Sequence, residues 1–106
     1  MMKSFFIGNL EVKLPIVQGG MGVGVSLSGL ASAVANEGGV GVISCAGLGL
    51  IHKGHGDFLQ NCIWGLQEEL RIAREKTKGI IGVNIMVALS NFADMARTAI
   101  AEKADI

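Results

Sequence analysis

The chain reads as an α/β fold in which short parallel strands alternate with helices. Two observations predict it. The runs Ile16-Val17, Val40-Gly41-Val42-Ile43-Ser44 and Ile80 to Val87 are apolar without polar alternation, the pattern of strands covered on both faces. Each run is followed by a segment whose apolar residues recur at helical spacing, so the order is strand, helix, strand, helix, strand, helix, with a fourth strand starting at Asp105-Ile106. Such units cross over right-handed and form either a doubly wound sheet or a (β/α)8 barrel. A barrel needs about 250 residues, so 106 would hold about three βα units and part of a fourth.

Taken in order, Phe5-Phe6-Ile7, the turn pair Gly8-Asn9 and Leu10 to Leu14 read as a small hairpin that covers an edge. Pro15 opens the first parallel strand, which runs into Gln18-Gly19-Gly20-Met21-Gly22. Ser26 or Ser28 is placed to cap a helix with the stripe Leu27, Leu30, Ala31 and Val34, ended by Gly38-Gly39. After the second strand, Ala46 to Asp57 predicts a long, flexible loop. Asp57 caps the next helix, whose apolar positions are Leu59, Ile63, Leu66, Leu70 and Ala73, with Glu68 and Glu69 among the residues on its other faces. Gly79 closes it, and Ile80 to Val87 forms the third strand. Ser90 caps a last helix with Phe92, Met95, Ala96 and Ala99 on its apolar face.

Nine basic and nine acidic residues cancel, which removes the electrostatic argument for nucleic acid or an anionic membrane as partner. The longest apolar run, Gly38 to Ile51, contains five glycines and is shorter than the roughly 20 residues that span a bilayer. The N-terminus develops no signal-peptide core, and a cytoplasmic protein is expected. Cys45 and Cys62 sit in different elements and support neither a disulfide framework nor a zinc site.

Chemistry concentrates at two strand ends. Glycines in Gln18 to Gly22 allow close backbone approach to a flat ligand, and Met21 offers a soft side chain; a tight structural turn is the plainer reading. Asn84 is an amide inside an apolar strand, where it requires a hydrogen-bonding partner: a flavin edge, a backbone carbonyl or a buried water. The glycines lack the last position of the dinucleotide fingerprint, and no Walker loop occurs. His52 and His55 lack the further ligands a metal requires and read as a solvated loop. Cys45 has no basic neighbour in sequence to make it a nucleophile, and Cys62 reads as packing.

Pro15 to Met21, Leu30 to Ala35, Gly38 to Ile43 and Gly82 to Met86 together resemble the nitronate monooxygenase family, formerly 2-nitropropane dioxygenases. Flavin-dependent enoyl-acyl-carrier-protein reductases share the opening pattern. The resemblance implies that residues 1–106 are the N-terminal fragment of a single FMN-binding TIM-barrel domain. It assigns Gly20, Met21, Gly22 and Asn84 to the flavin site, with Gln18 a weaker candidate, and no metal. It also implies an oxidoreductase whose FMN serves either nitronate oxidation with oxygen or reduction of an enoyl thioester by a nicotinamide. The family's catalytic His and phosphate-binding glycine loops belong to later barrel units, so no catalytic residue is assigned here and the bare chain is expected to be inactive. A non-catalytic interaction module is the alternative from a different class. The open sheet edge predicts association with another chain or a second copy.

Overall fold

A computed structural model describes residues 2–106. The hairpin forms as predicted: β1 (Phe5–Ile7) pairs antiparallel with β2 (Leu10–Val12), and Gly8 takes the positive φ of +59° that a two-residue turn demands. The parallel strands are β3 (Val40–Ser44) and β4 (Ile80–Asn84), in register from Val40 opposite Ile80 to Ser44 opposite Asn84.

The predicted first and fourth strands flank this pair as single rungs. Val40 N–H donates to the Ile16 carbonyl at 2.9 Å and Gln18 N–H to the Val40 carbonyl at 3.0 Å, while Asp105 N–H donates to the Ile81 carbonyl at 2.9 Å. Neighbours across the sheet therefore follow chain order: Ile16 to Gln18, β3, β4, Asp105-Ile106.

Alternation along β3 divides the core. Val40 and Val42 face the hairpin, where Val12 is fully buried and Phe5 and Ile80 pack alongside. Ile43, Cys45 and Ile81 face the helices, α1 (Ser28–Asn36), α3 (Phe58–Lys76) and α4 (Phe92–Ala101), among Leu66, Leu70, Ala73, Met95 and Ala99. Each fully buried aliphatic side chain contributes about 1.5–3 kcal/mol. The hairpin thus covers the amino ends of the strands, while at the carboxyl end of β4 Asn84 is exposed.

Helix α1 departs from its predicted stripe. Its buried residues are Ser28, Ala31, Ser32 and Ala35, and Leu30 is exposed. The cause lies in the sheet: a Cβ on Gly41 would run into the Ala31 carbonyl, and one on Gly79 would come within 2.6 Å of the Ala35 carbonyl. Backbone contact that close admits only small side chains, which outweighs the pull of the larger aliphatic residues. Gly38, at φ +98°, ends α1 as expected, whereas Gly79 serves packing and α3 ends at Thr77.

Cap assignments divide similarly. Asp57 begins α3 through a full capping box with Gln60, both bonds 2.8 Å. Neither predicted serine caps α1: its first residue follows Leu27, and Ser26 turns its hydroxyl toward the glycine turn. Asn91, not Ser90, precedes α4, with no side-chain bond. Along α3, Leu59 is exposed and Glu69 is buried, the reverse of the predicted faces. Strand β4 stops at Asn84 because the chain then turns, with Leu89 N–H bonding the Met86 carbonyl.

The segment after β3 is a pinned structure instead of a long, flexible loop. It contains α2 (Leu48–Ile51); His55 stacks on Trp64 of α3 at 3.6 Å between ring centroids, and His55 N–H donates to Asn61 Oδ1 at 2.8 Å. No helix among the described residues is long and apolar enough to cross a membrane.

Candidate functional site

The site grows from the way the first strand ends. A parallel ladder would continue with Val42 N–H donating to the main-chain carbonyl of residue 18. Instead Val42 N–H donates to Gln18 Oε1 at 2.9 Å. The side chain completes the rung, and the backbone is free to leave the sheet one residue early. The next donor on β3, Ser44 N–H, pairs with the Ser26 carbonyl at 2.8 Å, so the chain returns to β3 beyond the excursion.

Residues 19–25 form that excursion, and Ser26 organises it. Its hydroxyl accepts from Met21 N–H at 2.9 Å and from Gln18 Nε2 at 3.1 Å, and it donates to the Gly19 carbonyl at 3.4 Å. One donor and two acceptor positions are all a hydroxyl offers. Ser26 N–H adds a bond to the Met21 carbonyl at 2.9 Å, and the residue is only 1% exposed. Sequence reasoning read Ser26 as a helix cap; a serine ahead of a helical stripe gives no sign that its hydroxyl points the other way.

The turn meets the carboxyl end of β4. A Cβ on Gly20 would lie 2.5 Å from Asn84 Cβ and 3.2 Å from its Oδ1, so the backbone at Gly20 touches Asn84 directly. Gly22 approaches β3 in the same way, with a Cβ placed 2.8 Å from that of Ala46. Met21, between them, is 61% exposed. Asn84 differs from expectation: it is exposed at the strand end, and its carboxamide makes no hydrogen bond among the described residues, so no internal partner occupies it. Gly20, Met21, Gly22 and Asn84 are therefore brought together, whereas the Gln18 carboxamide is engaged within the turn's own scaffold.

Beside this surface, the segments following β3 and β4 enclose a cleft of about 330 Å³ lined by Gly47, Phe58, Leu59, Leu89, Ser90, Asn91 and Asp94. It combines apolar walls with polar groups.

The amino end of α1 is already filled. Glu69 Oε1 accepts from Ser28 N–H at 2.8 Å, and its Oε2 lies 2.8 Å from His52 Nε2. A carboxylate held at the positive end of the helix occupies the place where a dinucleotide fold would seat its diphosphate. His52 is thus a half-buried structural partner and not a solvated loop residue. Among the described residues no group of three or more His, Cys, Asp or Glu could hold a metal ion.

Cys45 directly follows β3 and is buried. Desolvation, with a smaller contribution from Cys62, pushes its thiol up to about 12. It remains a protonated packing group at neutral pH. Cys62 accepts a bond from Gly49 N–H at 3.2 Å.

Exposed glycine backbone, a soft thioether and an unengaged amide, side by side at strand ends, suit a flat heteroaromatic ligand with polar edges. Comparison with curated proteins finds no match. The family model described as nitronate monooxygenase matches residues 3–105, almost the whole chain, and on that extent the chain belongs to the nitronate monooxygenase family.

Proposed function

We propose that these residues form the ring-facing wall of an FMN site in an oxidoreductase that oxidises alkyl nitronates with oxygen. The observation that carries this reading is the contact of Gly20 with Asn84, which joins the bare turn to an amide free of internal partners. When bound, FMN supplies the redox chemistry, accepting electrons from a substrate and passing them to oxygen.

The chain's own residues bind and orient. The Asn84 carboxamide would offer a donor and an acceptor to the polar edge of the ring, Gly20 and Gly22 would admit the ring to the backbone, and Met21 would supply a soft apolar contact. Gln18 acts from behind through the turn. The cleft between Phe58 and Leu89 lies on the same open side and gives a small apolar substrate a place to approach.

We further infer that residues 2–106 make up the first units of a (β/α)8 barrel. Support comes from strand neighbours that follow chain order and from a hairpin covering the amino ends. It comes also from apolar surface beyond both outer rungs: Ile16 and Val17 on one side, and on the other a cleft of about 370 Å³ lined by residues including Val83, Ile85, Ile100 and Ile106.

The test is FMN titration of wild type and Asn84→Ala. Loss of about tenfold in affinity is expected from one hydrogen-bonding group, and equal affinity would remove Asn84 from the site. Turnover by a full-length version of the enzyme, a nitronate with oxygen set against a nicotinamide with an enoyl thioester, decides the substrate.

A further inference from the structure

We infer that Ser26 is the positioning residue of the cofactor wall: its buried hydroxyl sets the path of residues 19–22 and thereby holds Gly20 and Met21 where the flavin ring must meet them. This rests on the FMN reading above.

The argument is one of accounting. Residues 19–25 leave the sheet, and apart from Gly20 packing on Asn84, Gly22 on Ala46, Val23 on Gly47 and Gly24 on Ile51, their outer side is exposed. The path of residues 19–21 is held by hydrogen bonds on the inner side, where the Ser26 hydroxyl meets the Gly19 carbonyl, the Met21 N–H and the Gln18 carboxamide together. The remaining end of Gln18 is committed to Val42 N–H, so the hydroxyl is tied through one side chain to the central strand. Glycines impose little shape of their own, because they populate many backbone conformations. Removing the hydroxyl takes the acceptor from the part-buried Met21 N–H and frees the most permissive stretch of the chain beside the ring.

Other buried serines do nothing comparable. The Ser32 hydroxyl of α1, a residue 4% exposed, only returns to the Gly29 carbonyl one turn back. It provides the matched control.

The experiment compares wild type, Ser26→Ala and Ser32→Ala by three readouts: amide hydrogen exchange at Met21, FMN affinity by fluorescence quenching, and the visible circular dichroism of bound FMN. Ser26→Ala should raise Met21 exchange and weaken FMN about tenfold, with an altered flavin spectrum, while Ser32→Ala matches wild type in all three. A Ser26→Ala variant that binds FMN with unchanged affinity and spectrum overturns the inference. Should that variant fail to fold, Gln18→Glu serves: it keeps an acceptor for Val42 N–H but loses the donor to Ser26, and a wild-type flavin spectrum would overturn the inference equally. If wild type itself binds no FMN, the functional reading fails and takes this one with it, a result distinct from failure at Ser26 alone.

Discussion

Glu69 joins His52 to the start of α1: one carboxylate oxygen takes the Ser28 amide and the other the imidazole, each at 2.8 Å. Two segments that follow different strands are thereby fastened to one position of α3. Glu69→Ala leaves a buried N–H and a half-buried imidazole without their partner, and a loss of about 2–4 kcal/mol is expected in urea unfolding. Glu69→Gln keeps an acceptor for Ser28 and should lose less. Equal losses would show that the charge, and not the acceptor, matters.

Gly41→Ala should be among the most damaging single changes. The added methyl would strike the Ala31 carbonyl, and backbone on both sides leaves neither partner room to yield. A loss of about 3 kcal/mol or more is expected. Gly29→Ala is the contrast: open space surrounds the new methyl, and a helical alanine gains about 0.5–1 kcal/mol over glycine. Thermal unfolding of the pair checks both signs.

Asp57→Ala removes the carboxylate that accepts from Gln60 N–H, and leaves only the half of the capping box in which the backbone N–H of residue 57 donates to Gln60 Oε1. A loss of about 1 kcal/mol is expected. Circular dichroism melts should register it, and Asp57→Ser should recover most of it.

Alkaline pH acts through Cys45. Its thiol is raised from the usual 9.0 to about 12 in the folded protein. The unfolded chain therefore releases its proton first as pH rises above 9, so the folded state holds more protons and stability falls between pH 9 and 12. Below pH 9 the contribution is constant. In Cys45→Ala this part of the pH dependence should vanish, and iodoacetamide at pH 8 should modify Cys45 only after unfolding.

Much of this architecture was legible because it is local or periodic. The apolar runs around Val42 and Ile81 and the capping box at Asp57 carry their signals within a few residues. What escaped the sequence depends on contacts between distant segments. The buried face of α1 is dictated by Gly41, and the burial of Glu69 by His52 and Ser28; neither is visible in the periodicity of its own helix. Asn84 was read as buried because its neighbours in sequence are apolar, but the strand ends at that residue and the amide emerges into the open. Grouping Gly20, Met21, Gly22 and Asn84 came from the matched motif blocks. That Gly20 and Asn84 touch is a fact of the three-dimensional arrangement.

The exchange of a side-chain amide for a main-chain rung at Gln18 has a consequence for how the turn tolerates change. Gln18 and Ser26 clasp hands eight residues apart, closing the intervening chain into a ring fastened to β3 at Val42 on one side and Ser44 on the other. The circumference of that ring is fixed while much of its decoration is free. Exposed Val25 should accept replacement, whereas one inserted or deleted residue would open the clasp and unseat both attachments together.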